Sequence, residues 1–270
     1  MALQGRIGLA GGGNMGSALL KGMLAAGLVQ ADQVVVAEKL AERAQELTTD
    51  LGVAAKGSCA ELGALDVLIL AVKPADVAEA ASAARDCLSP DSLVITLAAG
   101  VKRASVAAAL APDQPLVRAM PNTPALIGQG ITAICGGLGL EGRHLETAAQ
   151  IFGAVGEVVV VDEKLMDVVT ALSGSGPAYV FVIIEALADA AVNQGLDRAN
   201  ALTLAAHTVA GAARLLIDSG QHPGELKDMV TSPGGTTIAG LAELERGGLR
   251  GALHNAIAAA TQRGKDLDQK

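Results

Sequence analysis

The stretch RIGLAGGGNMGSALLKGMLAAG, Arg6 to Gly27, sets a short apolar run, a glycine cluster and a helical pattern in direct succession. RIGLA (Arg6–Ala10) reads as a strand buried on both faces, and MGSALLKGMLAAG has the spacing and length of a helix. Between them Gly11, Gly13 and Gly16 form G-x-G-x-x-G. With 33 glycines in 270 residues, that spacing arises about 0.5 times by chance, so the context decides its meaning. Strand, glycine turn and helix in this order are the setting of a dinucleotide-binding βαβ unit. There Gly11 makes the tight turn, Gly13 lets a pyrophosphate approach the backbone, and Gly16 lets helix pack on strand. Asn14 and Met15 belong to the helix start, whose N–H groups and positive dipole end face the phosphates.

The same alternation continues outward. QVVVA (33–37), DVLILAV (66–72), SLVITL (92–97), LVRAM (116–120), ITAIC (131–135) and EVVVV (157–161) read as strands, with helical stretches such as PADVAEAASAARDCL between them. This predicts an α/β Rossmann domain with a mostly parallel sheet over residues 1–162. After Asp162 the strand pattern stops. EKLMDVVTALSG, PAYVFVIIEALADAAVNQG, DRANALTLAAHTVAGAARLLIDSG and TIAGLAELERGG are helical in period, with glycines at their ends. Residues 163–270 are therefore expected to be all-α. From Ala178 to Ala191 the pattern is apolar nearly all round, and a helix without a polar face has to be covered on every side. A helical domain of this size has little interior, so a second copy of the chain is the expected cover.

Composition narrows the function classes. Half the residues are apolar, enough for a sizeable core. No uninterrupted apolar run reaches the ~18 residues of a bilayer span, and the N-terminus lacks the order of a signal peptide, so no membrane association is expected. Cys59, Cys87 and Cys135 are odd in number, far apart and without nearby histidine, which argues against disulfides and against a metal site. They fit a reducing compartment, and the chain is expected to be cytoplasmic. The net charge of −8, dispersed basic residues and three aromatics (Phe152, Tyr179, Phe181) offer no nucleic-acid surface.

Further positions follow from where open α/β sheets bind ligands, beyond the C-terminal ends of strands. AVKP supplies Ala71, Val72, Lys73 and Pro74, and AAGV supplies Ala98 and Gly100. Glu38 directly follows the second strand, where an acidic residue takes the ribose hydroxyls of NAD and repels the extra phosphate of NADP. Lys39 and Arg43, one helical turn apart, would instead neutralise that phosphate. The residues leave NADH and NADPH both open.

AVKP, RAMPNTPALIGQG, LSGSGPAYVF and above all KDMVTSPGGTTIAGLAELERGGLRGAL resemble pyrroline-5-carboxylate reductase, and the resemblance runs the length of the chain. It implies NAD(P)H-dependent reduction of 1-pyrroline-5-carboxylate to L-proline. It also implies an N-terminal Rossmann domain and a helical domain interleaved with its copy in a dimer, which in many members assembles further into a decamer. SPGGTT (Ser232–Thr237) then has a role: the backbone N–H groups of Gly234, Gly235 and Thr236 at a helix start can chelate a carboxylate without an arginine. The resemblance places Ser232 and Thr237 in the catalytic site, the Thr237 hydroxyl near the ring nitrogen, with Met229, Glu163 and Ser175 lining the substrate. It places Pro121 and Asn122 beside the nicotinamide and Ser58 near the adenosine. Taken as residues alone, Thr236 or Thr237 would serve as a helix N-cap, and Glu163 as a solvated helix-start carboxylate. Two departures stand out. Glu38 occupies a position where many relatives carry a small polar or basic residue, and Ser58 one where some carry asparagine. A β-hydroxyacid dehydrogenase of similar plan would want a lysine on the first long helix of the second domain, and no lysine lies between Lys164 and Lys227. A non-catalytic dinucleotide sensor would keep the glycine loop but have no use for SPGGTT.

Overall fold

A computed structural model describes residues 3–137 and 140–267 of the chain. Its sheet has eight strands: β1 (Ile7–Ala10), β2 (Val34–Ala37), β3 (Ala54–Lys56), β4 (Leu65–Leu70), β5 (Leu88–Thr96), β6 (Leu116–Met120), β7 (Gly130–Cys135) and β8 (Gly156–Val160). Their order is β3-β2-β1-β4-β5-β6-β7-β8. All neighbours pair parallel except β6 and β7, which run antiparallel. The chain steps from β1 to β2 on one side and returns to β4 on the other, so the crevice between β1 and β4 is the topological switch point. Every strand expected from the apolar runs is present, and β3 is additional. Ala-Ala-Lys carries no β-branched or aromatic residue, and on an exposed sheet edge it needs none.

Helices α1 (Asn14–Ala25), α2 (Ala41–Leu51), α3 (Val77–Ala83), α4 (Arg103–Ala107) and α5 (Gly142–Gly153) connect the strands. They cover both faces of the sheet. One face buries Ile7, Leu9, Leu19, Leu20, Met23 and Phe152 together, and the other Leu68, Leu70, Val94, Ala81 and Leu116. This two-sided burial is why the strands read as continuous apolar runs rather than alternating ones. At the far edge β8 leaves Val159 and Val160 exposed, so the EVVVV run is an edge strand rather than a doubly buried one.

The rest is helical: α6 (Met166–Val169), α7 (Gly176–Asn193), α8 (Arg198–Ser219), α9 (Pro223–Met229), α10 (Thr236–Arg246) and α11 (Leu249–Leu267). Two compact units result. Residues 3–175 pack with residues 260–267, and Gly176–Ala259 form the second unit. The segment 163–175 thus packs with the sheet, as does the end of α11, where Gly264 lies against Asp167 and Leu267 against Gly100. In the second unit α7 and α8 meet through Ala188, Ala201 and Ala205, small side chains that let two helices approach closely. These three alanines are the buried hydrophobic residues among those described in this unit. On α7, Phe181 and Val182 are 65% and 63% exposed in the single chain.

The search for unbroken apolar runs passed over two helices. The helical spans Glu163–Asn193 and Arg198–Ser219 are long and apolar enough to cross a membrane, with mean hydropathies of 1.5 and 1.2. Glu185 and Asp189 interrupt the first span, so counting unbroken apolar residues missed it.

Candidate functional site

At the C-terminal ends of β1, β2 and β4 a cleft of about 700 Å³ opens. That is within the usual size of a small-molecule site. Its walls include Gly11, Gly13, Glu38, Lys39, Ser58, Ala71, Val72 and Lys73, all expected from the sequence. The three glycines differ in what surrounds them. Gly11 has φ +96°, and a Cβ there would lie 2.7 Å from the Ala71 carbonyl oxygen. A Cβ on Gly16 would lie 2.2 Å from the Gly11 carbonyl oxygen, so these two are fixed by backbone approach. Gly13 is different: its Cβ would meet nothing within 4 Å. It is the N-cap of α1, with no side-chain cap among the described residues and no acid in the first turn. Donor groups facing open space fit a dinucleotide pyrophosphate. Asn14, Met15 and Gly16 form that first turn.

Glu38 reaches across to this loop. Its Oε2 accepts the Gly12 N–H at 2.8 Å and its Oε1 accepts the Leu40 N–H at 2.9 Å. Arg43 lies beneath, its Nε donating to the Gly12 carbonyl at 2.8 Å and its guanidinium also bonding the Ser17 hydroxyl and Glu46. Ser17 in turn donates to the same carbonyl. Lys39 pairs with Glu79 of α3 at 3.1 Å, and that hydrogen bond raises its pKa.

Sequence reasoning missed part of this wall: Leu40, Gly57, Cys59, Asp76, Glu79, Ala80 and Ala83 also line the cleft. Gly57 follows the unexpected β3, and Glu79 sits one turn into a helix whose own pattern showed nothing unusual. Burial is the first cause raising the Cys59 thiol, and it pushes Cys135 up to about 11, so neither is a ready nucleophile.

Other expected cofactor residues lie elsewhere. Pro74 and Gly100 line a separate cavity of about 560 Å³ with Leu267. Ala98 packs into the core below it. Pro121 and Asn122 are buried between β6 and β7, and the Asn122 side-chain oxygen accepts the Ile131 N–H at 3.0 Å.

Glu163 is not a free helix-start carboxylate. It accepts from the Arg103 N–H at 2.8 Å and Nε at 3.2 Å, and the buried Arg118 lies 3.8 Å away. Arg118 also faces Asp167 at 3.9 Å. The cluster joins α4, β6 and the start of the 163–175 segment. Ser175 ends a π-helical turn, Thr170–Gly174, its N–H bonding the Thr170 carbonyl at 2.8 Å. A Cβ on Gly174 would sit 2.7 Å from the Met120 methyl, so this turn packs directly on the Met120–Asn122 loop. Single π turns interrupting a helix recur at functional sites.

In the second unit, Met229, Ser232, Gly234, Gly235, Thr236 and Thr237 come together at the start of α10. Gly234 has φ +67°, the Gly235 N–H bonds the Ser232 carbonyl at 3.1 Å, and Gly235 is the N-cap. A Cβ on Gly235 would strike the Ser232 hydroxyl at 2.3 Å. Thr236 and Thr237 are therefore helical residues, not caps. No side chain among the described residues caps the helix, and its first turn holds no acid. The N–H groups of its first turn are donors without a side-chain cap, a setting that suits an anion.

Comparison with known proteins agrees with both halves. Residues 163–267 match the family model for pyrroline-5-carboxylate reductase dimerisation, and residues 6–100 match one for coenzyme F420-dependent NADP oxidoreductases. A pyrroline-5-carboxylate reductase of Methanosarcina acetivorans is 44% identical over 266 residues, covering 98% of each chain. The structure of the reductase from Coxiella burnetii superposes with a TM-score of 0.94 at 35% identity, over 99% of this chain and 100% of that one. The enzyme from Plasmodium falciparum, solved with NADP bound, gives a TM-score of 0.88 at 30% identity, over 99% and 100%.

Proposed function

The chain belongs to the pyrroline-5-carboxylate reductase family, and from that premise we propose that the Ser232–Thr237 loop holds the substrate while the glycine-loop cleft holds the cofactor. The reaction is the NAD(P)H-dependent reduction of 1-pyrroline-5-carboxylate to L-proline, the last step of proline biosynthesis. The dinucleotide, when bound, supplies the hydride for the imine carbon. Everything else is positioning by this chain. Gly11, Gly13 and the first turn of α1 hold the pyrophosphate, Glu38 the adenosine ribose, and Ala71–Pro74, Ala98, Gly100, Pro121 and Asn122 the rest of the cofactor's path. Ser58 supports the adenosine end.

The observation that carries the substrate reading is the uncapped start of α10. Gly234 and Thr236 offer the carboxylate their backbone N–H groups, whereas the Gly235 N–H, expected from the sequence as a third donor, is held by the Ser232 carbonyl at 3.1 Å; glycine keeps that approach clear. The Thr237 hydroxyl orients the ring nitrogen, which is basic enough to take its proton from water. Ser232 supports the loop, and Met229 gives it an apolar wall. Replacing Thr237 with Ala should lower turnover about ten- to a hundredfold, from a hydroxyl contribution of roughly 1–3 kcal/mol. Cofactor affinity, followed by NADPH fluorescence, should stay as it was. Unchanged turnover would remove Thr237 from the site.

The functional division falls at 162/163, where the family's dimerisation region begins. Two copies cover each other's α7, and further association to a decamer builds on that dimer. The enzyme works in the cytoplasm on a small molecule, without nucleic acid or membrane.

A further inference from the structure

Lys39 and Glu79 both line the dinucleotide cleft and reach each other, one from the loop after β2 and the other from α3, with Nζ and Oε1 3.1 Å apart. The two side chains are 74% and 70% exposed, so no packing holds them together. The charges lining this cleft are Glu38, Asp76 and Glu79 against Lys39 and Lys73. The two nicotinamide cofactors differ there by one phosphate on the adenosine ribose. Glu38 stands at the ribose end of β2, and Lys39 is the adjacent cation. Arg43 cannot substitute for it, because its guanidinium is committed to the Gly12 carbonyl, Ser17 and Glu46.

We infer that Glu79 is a specificity-determining residue of this cleft: by pairing with Lys39 it withholds the cation that a 2′-phosphate would need. The inference rests on the reading that the cleft takes a nicotinamide dinucleotide. Glu79 acts in two ways that share a sign. It neutralises Lys39, and it adds a negative charge to a wall that already carries Glu38 and Asp76. A phosphate entering the cleft meets a lysine whose charge is already offset by Glu79, and it meets the charge of Glu79 itself.

Binding of ADP-ribose and of 2′-phospho-ADP-ribose, measured by calorimetry on the whole protein, separates the possibilities without turnover. Glu79→Gln keeps the side chain's size and removes its charge. It should raise the preference for the phosphorylated ligand about two- to fivefold at low salt, the range of an exposed ion pair. The gain should shrink in concentrated salt. In the double variant Lys39→Met with Glu79→Gln, most of that gain should vanish, because the released lysine is its source. An unchanged preference in Glu79→Gln, or an equal gain with and without Lys39, overturns the inference while leaving the cleft a dinucleotide site. Failure of the unaltered protein to bind either ligand overturns the cleft reading and the inference with it.

Discussion

The carboxylate of Glu38 accepts the backbone N–H of Gly12 at 2.8 Å, so the acid that follows β2 is clamped to the glycine loop. Its second oxygen holds the Leu40 N–H. The side chain that lines the cleft is thereby held in place by two backbone donors.

Replacing Glu38 with Ser tests that placement. The substitution removes an acceptor for two ribose hydroxyls and a like charge facing a 2′-phosphate. The unaltered enzyme should use NADH unusually well for its family while still accepting NADPH. The variant's NADPH/NADH ratio of kcat/KM should rise, by roughly tenfold or less because the site is partly exposed to solvent. A constant ratio would mean that the carboxylate does not meet the ribose.

Arg43 leads to the opposite expectation. The sequence offers it as a phosphate partner, yet the structure spends its guanidinium on the Gly12 carbonyl and the Ser17 hydroxyl. Arg43→Ala should weaken ADP-ribose and 2′-phospho-ADP-ribose alike and lower Tm by several degrees, from about 1–3 kcal/mol of lost charged hydrogen bonds. Lysine should rescue poorly, lacking the planar fork. Selective loss of the phosphorylated ligand would return Arg43 to a phosphate-reading role.

The sheet was legible because doubly buried parallel strands leave unbroken apolar runs, and the glycine loop because Gly11 and Gly16 are fixed by backbone approaches of 2.7 and 2.2 Å. β3 was not legible, since an exposed edge strand of Ala-Ala-Lys leaves no pattern. Nor was the partnering of charges. Glu163 reads as a helix-start acid, and its ties to Arg103 and Arg118 depend on residues 60 and 45 positions away that only the fold brings near. The SPGGTT loop was legible by resemblance, and its geometry explains the residue types: Gly234 for a left-handed turn and Gly235 for clearance from Ser232.

His144 predicts a pH dependence of stability. It is buried in the first turn of α5, and its Nδ1 accepts the Glu141 N–H at 3.2 Å, which requires the neutral ring. Burial first, and then Arg143, lower its pKa from the ordinary 6.5. The unfolded chain therefore takes up this proton more readily than the folded one. The stabilisation is complete above the ordinary value and is lost as pH falls below it, levelling off once the folded ring also protonates. His144→Gln keeps an acceptor at this capping-box position without a titration. Its Tm should fall less than that of the parent between pH ~7 and ~5. Parallel Tm profiles would show that His144 does not contribute.

Phe181 and Val182 decide how the second unit is held together. Within Gly176–Ala259 the buried hydrophobic residues among those described are Ala188, Ala201 and Ala205, far too little interior for a helical unit of this length. The same unit exposes Phe181, Val182 and Leu187 along α7. One aromatic ring alone carries about 150–250 Å² that gains from removal from water. A second copy of α7 supplies matching apolar surface, as the family's dimerisation region implies. The chain should therefore sediment as a dimer or larger at micromolar concentration. Phe181→Asp places a charge in that contact and should cost roughly 2–4 kcal/mol, shifting the protein toward monomer and lowering Tm together. A stable monomer of the unaltered chain would defeat the argument, and recovery of the chain in membranes would assign the exposed α7 face to lipid instead.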